Sequence, residues 1–176
     1  MGLRNIPQGV GRIHSPLEDP MARLELHTFV QAPRDQVFAA FTDVEGWADM
    51  VDGIVKVERD GDGPVGNGTR WKETRVMFKK EHTEEMWFED FQAPSSYAVA
   101  AETCGSKFKT TFTFAEHDGG TKVDMLTETQ AVSLFAKIMS PLGALMMGPM
   151  KKAMQKDMDD LKAAIEKGAD ATASSE

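Results

Sequence analysis

From about residue 22 the chain changes its hydrophobic period twice. Leu24, Leu26, Thr28 and Val30 alternate with Arg23, Glu25, His27 and Phe29, the two-residue repeat of a half-buried strand. Pro33, whose ring pre-sets a first helical turn, opens a short helix with Val37, Phe38 and Phe41 on one face. A short helical or irregular piece around Trp47 ends at Asp52-Gly53. Extended segments follow at Val55 and Val57, then over 68–77, 80–91, 96–103, 106–115 and 121–130. The clearest sets Phe108, Thr110, Phe112 and Phe114 against Lys107, Lys109, Thr111 and Thr113, and Asp118-Gly119-Gly120 reads as a hairpin turn. The period then becomes helical: Leu142, Leu145, Met146, Met150, Met154, Met158, Leu161 and Ile165 form one stripe, with Gly168 as a stop. So long an apolar stripe needs a long apolar partner, and the concave face of a sheet supplies one. The predicted fold is α+β: a strand, one or two short helices, six antiparallel strands and a long C-terminal helix.

Residues 1–20 hold Pro7, Pro16 and Pro20 without a sustained period and read as an irregular extension; 21–168 form the domain, and 169–176 a disordered tail. Residues 131–150 carry a single charge, Lys137. In a bilayer that lysine would cost about 2.5–3.5 kcal/mol, so a buried helix is predicted and no stable membrane insertion. Pro141 and Pro149 are expected to break this helix. The loosely specified segment 132–150 would then serve as a mobile gate.

Charge and composition narrow the function. With 176 residues, 20 Lys+Arg against 28 Asp+Glu and a net charge of −8, the chain lacks the clustered basic charge of a nucleic-acid partner. One cysteine, Cys104, makes no disulfide within the chain and suits a cytoplasmic location. The four histidines are scattered, no Ser stands in a nucleophile elbow, and Gly61 to Gly66 spells G-x-G-x-x-G only on the way into another strand, with Pro64 inside. Neither a metal nor a cofactor is expected, and catalytic residues stay unassigned.

A two-residue turn at 78–79 would set Arg75 opposite His82, Glu73 opposite Glu84 and Trp71 opposite Met86. Lys72 and Glu85 would then form an ion pair on the other face. The inner face has an apolar end, Trp71, Met86 and Phe88, and a polar end, Glu73, Arg75, His82 and Glu84. Glu73 and Glu84 in apposition would raise the proton affinity of one of them. Arg75, with its planar fork, is the residue expected to orient a ligand's carboxylate or carbonyl. Val99, Phe108, Phe112, Met125, Met146, Met150 and Met154 fall on the apolar faces of their elements and complete the expected ligand-binding set. Methionine suits such a wall because it is flexible and polarisable.

The chain also resembles a known family. Val30-Gln-Ala-Pro33 followed by Val37-Phe38 and Thr42-Asp43, then Trp47, Val65-Gly-Asn-Gly-Thr69, Thr74-Arg75-Val-Met77, Glu89-Asp-Phe-Gln-Ala-Pro94 and Asp160-Leu161-Lys162 are similar to the START-type helix-grip superfamily (SRPBCC). The likeness is to its polyketide cyclase/dehydrase and lipid transport branch, related to the birch pollen allergen. The resemblance implies a curved sheet of about seven strands gripping the C-terminal helix, with a cavity between them. Members bind lipids, sterols, polyketides or plant hormones, and some cyclise or dehydrate polyketides; the family has no universal catalytic residue. The expectation is a non-enzymatic protein, monomer or homodimer, that binds or carries a hydrophobic small molecule. The alternative is a polyketide cyclase/aromatase or dehydratase using the same cavity.

Overall fold

The computed structural model describes residues 22–173 apart from Phe78 and Cys104, and leaves undescribed the side chains of Met77, 134–146 and 170–173. The predicted N-terminal extension lies outside the described residues. The order is β1 (Ala22–Val30), α1 (Arg34–Thr42), α2 (Trp47–Met50), β2 (Ile54–Arg59), β3 (Arg70–Met77), β4 (Lys80–Gln92), β5 (Ser96–Thr103), β6 (Ser106–His117), β7 (Gly120–Ala131) and α3 (Leu134–Ala173). All seven strands join one antiparallel sheet ordered β1-β7-β6-β5-β4-β3-β2. The pair α1–α2 carries the chain from one edge to the other. Irregularities in pairing between Ile54 and Lys56 and between Glu89 and Gln92 bend their strands and add twist, so the sheet curves around α3.

The register of β3 and β4 is the one predicted from a two-residue turn at 78–79: Arg75 faces His82, Glu73 faces Glu84 and Trp71 faces Met86. At the β6–β7 turn Asp118 and Gly119 both have positive φ, 43° and 79°, as a tight two-residue hairpin requires. The outer face departs from expectation. Glu85 pairs diagonally with Arg70 at 2.7 Å rather than with Lys72, because the Arg70 guanidinium stacks 4.8 Å above the Trp87 ring and is held there. The glycine-rich run at 61–66 joins β2 to β3, so the helix a dinucleotide fingerprint needs is not there.

One end of the groove is filled by aromatic rings. Phe38 and Phe41 of α1 meet Phe114 edge-on at 5.2 and 5.4 Å, and Trp47 of α2 meets Trp71 at 5.6 Å. Helix α3 is held at several points along its length. Met154, Met158, Leu161 and Ile165 pack into the core. The Asp52 amide donates to Asp160 Oδ2 at 3.0 Å, and the Gln31 amide to Glu166 Oε1 at 2.8 Å. Lys156 bridges Asp52 and Asp160 at 3.2 and 2.7 Å. Such exposed pairs are worth little singly; they fix where the helix lies.

The predicted interruptions do not occur. Helix α3 is continuous from Leu134 to Ala173, through Pro141 and Pro149 and beyond Gly168. An internal proline removes one hydrogen bond and crowds one carbonyl, and a glycine costs about 1 kcal/mol relative to alanine. Both are local penalties, and the helix runs on through them. The tail predicted from 169 is therefore helical as far as Ala173. Most of the predicted gate has side chains outside the described residues. Among the described residues, no helix is long and apolar enough to cross a membrane.

Candidate functional site

Between the concave face and α3 lies a cavity of about 290 Å³. Protein interiors are packed like crystals, with few voids larger than a water. This one equals roughly ten times the ~30 Å³ that a water occupies in the liquid. Two of its lining residues, Ala101 on β5 and Ala153 on α3, are short side chains that fill little of it. Met86, Val99, Phe108, Phe112 and Met125 form the sheet wall, and Met150, Met154, Met158 and Leu161 the helix wall. Phe41, Trp47, Val51 and Ile54 close the end beneath α1 and α2.

The polar end gathers Glu73, Arg75, Glu84 and Asp157. Arg75 Nε donates to Glu73 Oε1 at 2.7 Å and Nη1 to Asp157 Oδ2 at 3.0 Å, so one guanidinium ties β3 to α3. The Glu73 side chain is 4% exposed. Burial raises its pKa; Arg75 pulls it back by charge and hydrogen bond, while Asp157 and Glu84 add to the rise. Burial likewise raises Asp157 against the pull of Arg75. For Arg75 burial disfavours the charge, yet Glu73 and Asp157 together outweigh it and hold the guanidinium more firmly protonated. Two arms of its fork are thus occupied, where the sequence reading has them meeting a ligand carboxylate.

These shifts set a pH dependence. Between the ordinary values, 4.5 for Glu73 and 3.8 for Asp157, and the raised native ones, the folded state binds more protons than the unfolded state. Stability therefore falls as pH rises through that window. Glu73→Gln removes the glutamate's share, so its plot of melting temperature against pH should be flatter than that of the unmodified protein. Parallel plots would mean that Glu73 titrates alike in both states.

Of the fourteen residues expected at the site, Glu73, Arg75, Glu84, Met86, Val99, Phe108, Phe112, Met125, Met150 and Met154 line the cavity. Trp71 and Phe88 do not: both are 0% exposed, their rings tilted against each other at 4.7 Å inside the aromatic cluster. His82 faces Arg75 in register but is exposed, because β4 is solvated throughout Lys80–Thr83 where the hairpin tip extends past the groove. The Met146 side chain lies outside the described residues. The pattern reading missed Asp157, three residues after Met154 and seven after Met150 on the same helix face. A lone charge inside an apolar stripe is the signal that finds it. Tyr97 was also missed, although it shares the two-residue alternation of Val99 and Ala101.

A family profile described as polyketide cyclase/dehydrase and lipid transport matches residues 21–166. Among solved structures, Ara h 8.0201 is 17% identical with a TM-score of 0.67, covering 82% of this chain and 97% of that one. The Zhui aromatase/cyclase from Streptomyces sp. R1128 is 16% identical at a TM-score of 0.64, covering 82% and 93%. The di-domain ARO/CYC StfQ from the steffimycin biosynthetic pathway is 12% identical at 0.68, covering 84% of this chain and 51% of that one. At these identities the likeness is one of fold. No curated protein matches the chain in sequence.

Proposed function

Because the chain belongs to the polyketide cyclase/dehydrase and lipid transport family, we propose that it binds or carries an apolar small molecule in the cavity between the sheet and α3. The cavity itself carries this reading: about 290 Å³ of space behind a mostly apolar wall with a single charged end. That volume lies at the lower end of the ~300–1,000 Å³ common for ligand pockets, so it suits a compact molecule or one end of a longer one. Five methionines in the described wall, Met86, Met125, Met150, Met154 and Met158, let it adapt to more than one shape.

Native mass spectrometry of freshly expressed protein should reveal a retained small molecule, and Nile red should brighten on binding. Val99→Trp fills the void from the sheet side, at about 1–3 kcal/mol of overpacking, and should weaken Nile red binding at least about tenfold. Unchanged Nile red affinity in a folded Val99→Trp protein would place the dye elsewhere and end the reading.

A second reading, polyketide cyclase/aromatase or dehydratase, is favoured by one observation. Glu73 is a buried carboxyl with raised proton affinity at the cavity's polar end, where a general acid would stand. An enzyme of this kind would lose turnover of a poly-β-ketone in Glu73→Gln while still binding it; undiminished turnover would remove Glu73 from that role.

A further inference from the structure

Four side chains of the acidic or basic kind line the described wall, Glu73, Arg75, Glu84 and Asp157, and only Arg75 among them is basic. Its single charge already faces two carboxylates, Glu73 at 2.7 Å and Asp157 at 3.0 Å. Glu84, the third, lines the same cavity and makes no hydrogen bond or ion pair among the described residues. It stands directly across the β3–β4 ladder from Glu73, and like charges in that position repel. Among the described residues the rest of the wall, from Thr110 and Thr127 to the methionines and aromatic rings, supplies no positive charge to relieve it.

We propose that the molecule held in this cavity carries a cationic nitrogen at its polar end, paired with Glu84, so that the site takes apolar amines in preference to fatty acids. This rests on the binding reading above and names the chemical class of its ligand. A carboxylate entering the cavity would leave water to meet a net excess of negative charge, with the one guanidinium engaged; a buried charge without a partner is strongly disfavoured. An ammonium group meets the opposite situation. Glu84 is only partly buried, so both charges keep some water while they pair, and the apolar body of the ligand lies against Met86, Val99 and Met154. A neutral alcohol donates one hydrogen bond to Glu84 but leaves its charge uncompensated. The ranking that follows is amine, then alcohol, then acid.

The test uses the full chain and three probes of matched length, octylamine, octanol and octanoate, displacing Nile red at about pH 8, where the amine is a cation and the acid an anion. Octylamine should displace the dye at a concentration roughly tenfold below that of octanoate, with octanol between. Glu84→Gln should bring octylamine to the level of octanol and leave octanol unchanged. Glu81→Gln makes the same charge change at an exposed position outside the cavity and should leave the ranking intact. Tightest binding of octanoate or octanol, equal displacement by all three, or loss of the ranking in Glu81→Gln would each overturn the amine assignment while the cavity still binds Nile red. If neither Nile red nor any of the three probes binds, the binding reading itself fails and the assignment falls with it.

Discussion

Truncation of Tyr97 to alanine is expected to lower the free energy of unfolding by about 3–5 kcal/mol, the range for deleting a buried aromatic ring. Tyr97 is 1% exposed. Its ring has Phe88 and Phe112 at 5.1 Å and Phe38 and Phe114 at 5.8 Å, so β4, β5, β6 and α1 all lose contacts together. The hydroxyl donates to the Phe41 carbonyl at 2.7 Å, joining β5 to α1, and burial pushes its pKa well above 10.0, so it remains a donor at ordinary pH. Tyr97→Phe keeps the ring and loses that one bond, and should cost about 1–1.5 kcal/mol. Urea denaturation of the two variants separates packing from hydrogen bonding. Equal costs would assign the stabilisation to the hydroxyl, and a loss below about 1 kcal/mol in Tyr97→Ala would remove Tyr97 from the core.

Strands and short helices are legible in this chain because alternation is a local property. Phe108, Phe112 and Phe114 on one side of β6, against Lys107 and Lys109 on the other, suffice to define the strand and its inner face. The β3–β4 register is legible for the same reason, since a two-residue turn leaves one pairing that keeps Trp71 and Met86 together. Depth along the groove is not local. Trp71 and Val99 both point inward, yet Trp71 packs under Trp47 while Val99 faces the void; the difference is where α1 and α2 close the groove. His82 shares a face with Arg75 but lies beyond the reach of the groove. The continuity of α3 past two prolines is likewise something that local propensity does not report. Asp157 was readable as a misplaced charge, but its partner was not, because the ion pair joins residues 82 positions apart.

That long-range pair is where the second large effect is expected. Arg75→Ala should destabilise the protein by about 2–3 kcal/mol at neutral pH, below the ~3–5 kcal/mol for breaking a fully buried pair because Arg75 and Asp157 keep some solvent. Glu73 and Asp157 would then lose the attraction that opposes their burial, and both native pKa values would rise further from their present raised positions. The folded variant would bind more protons than its unfolded chain across a wider window above 4.5 and 3.8, so its deficit should grow as pH rises through that window and shrink on acidification. Below the unfolded values both carboxyls are protonated in both states, and only the lost hydrogen bonds and packing remain. Arg75→Met keeps much of the side-chain volume and should show the same pH-dependent part. Adding Glu73→Gln to Arg75→Met should recover much of the loss, because the most buried of the carboxylates is then neutral. Chemical denaturation across acid to neutral pH reads all three proteins. A deficit that stays constant with pH, or Arg75→Met as stable as the unmodified protein, would show that the guanidinium is not what compensates these two carboxylates.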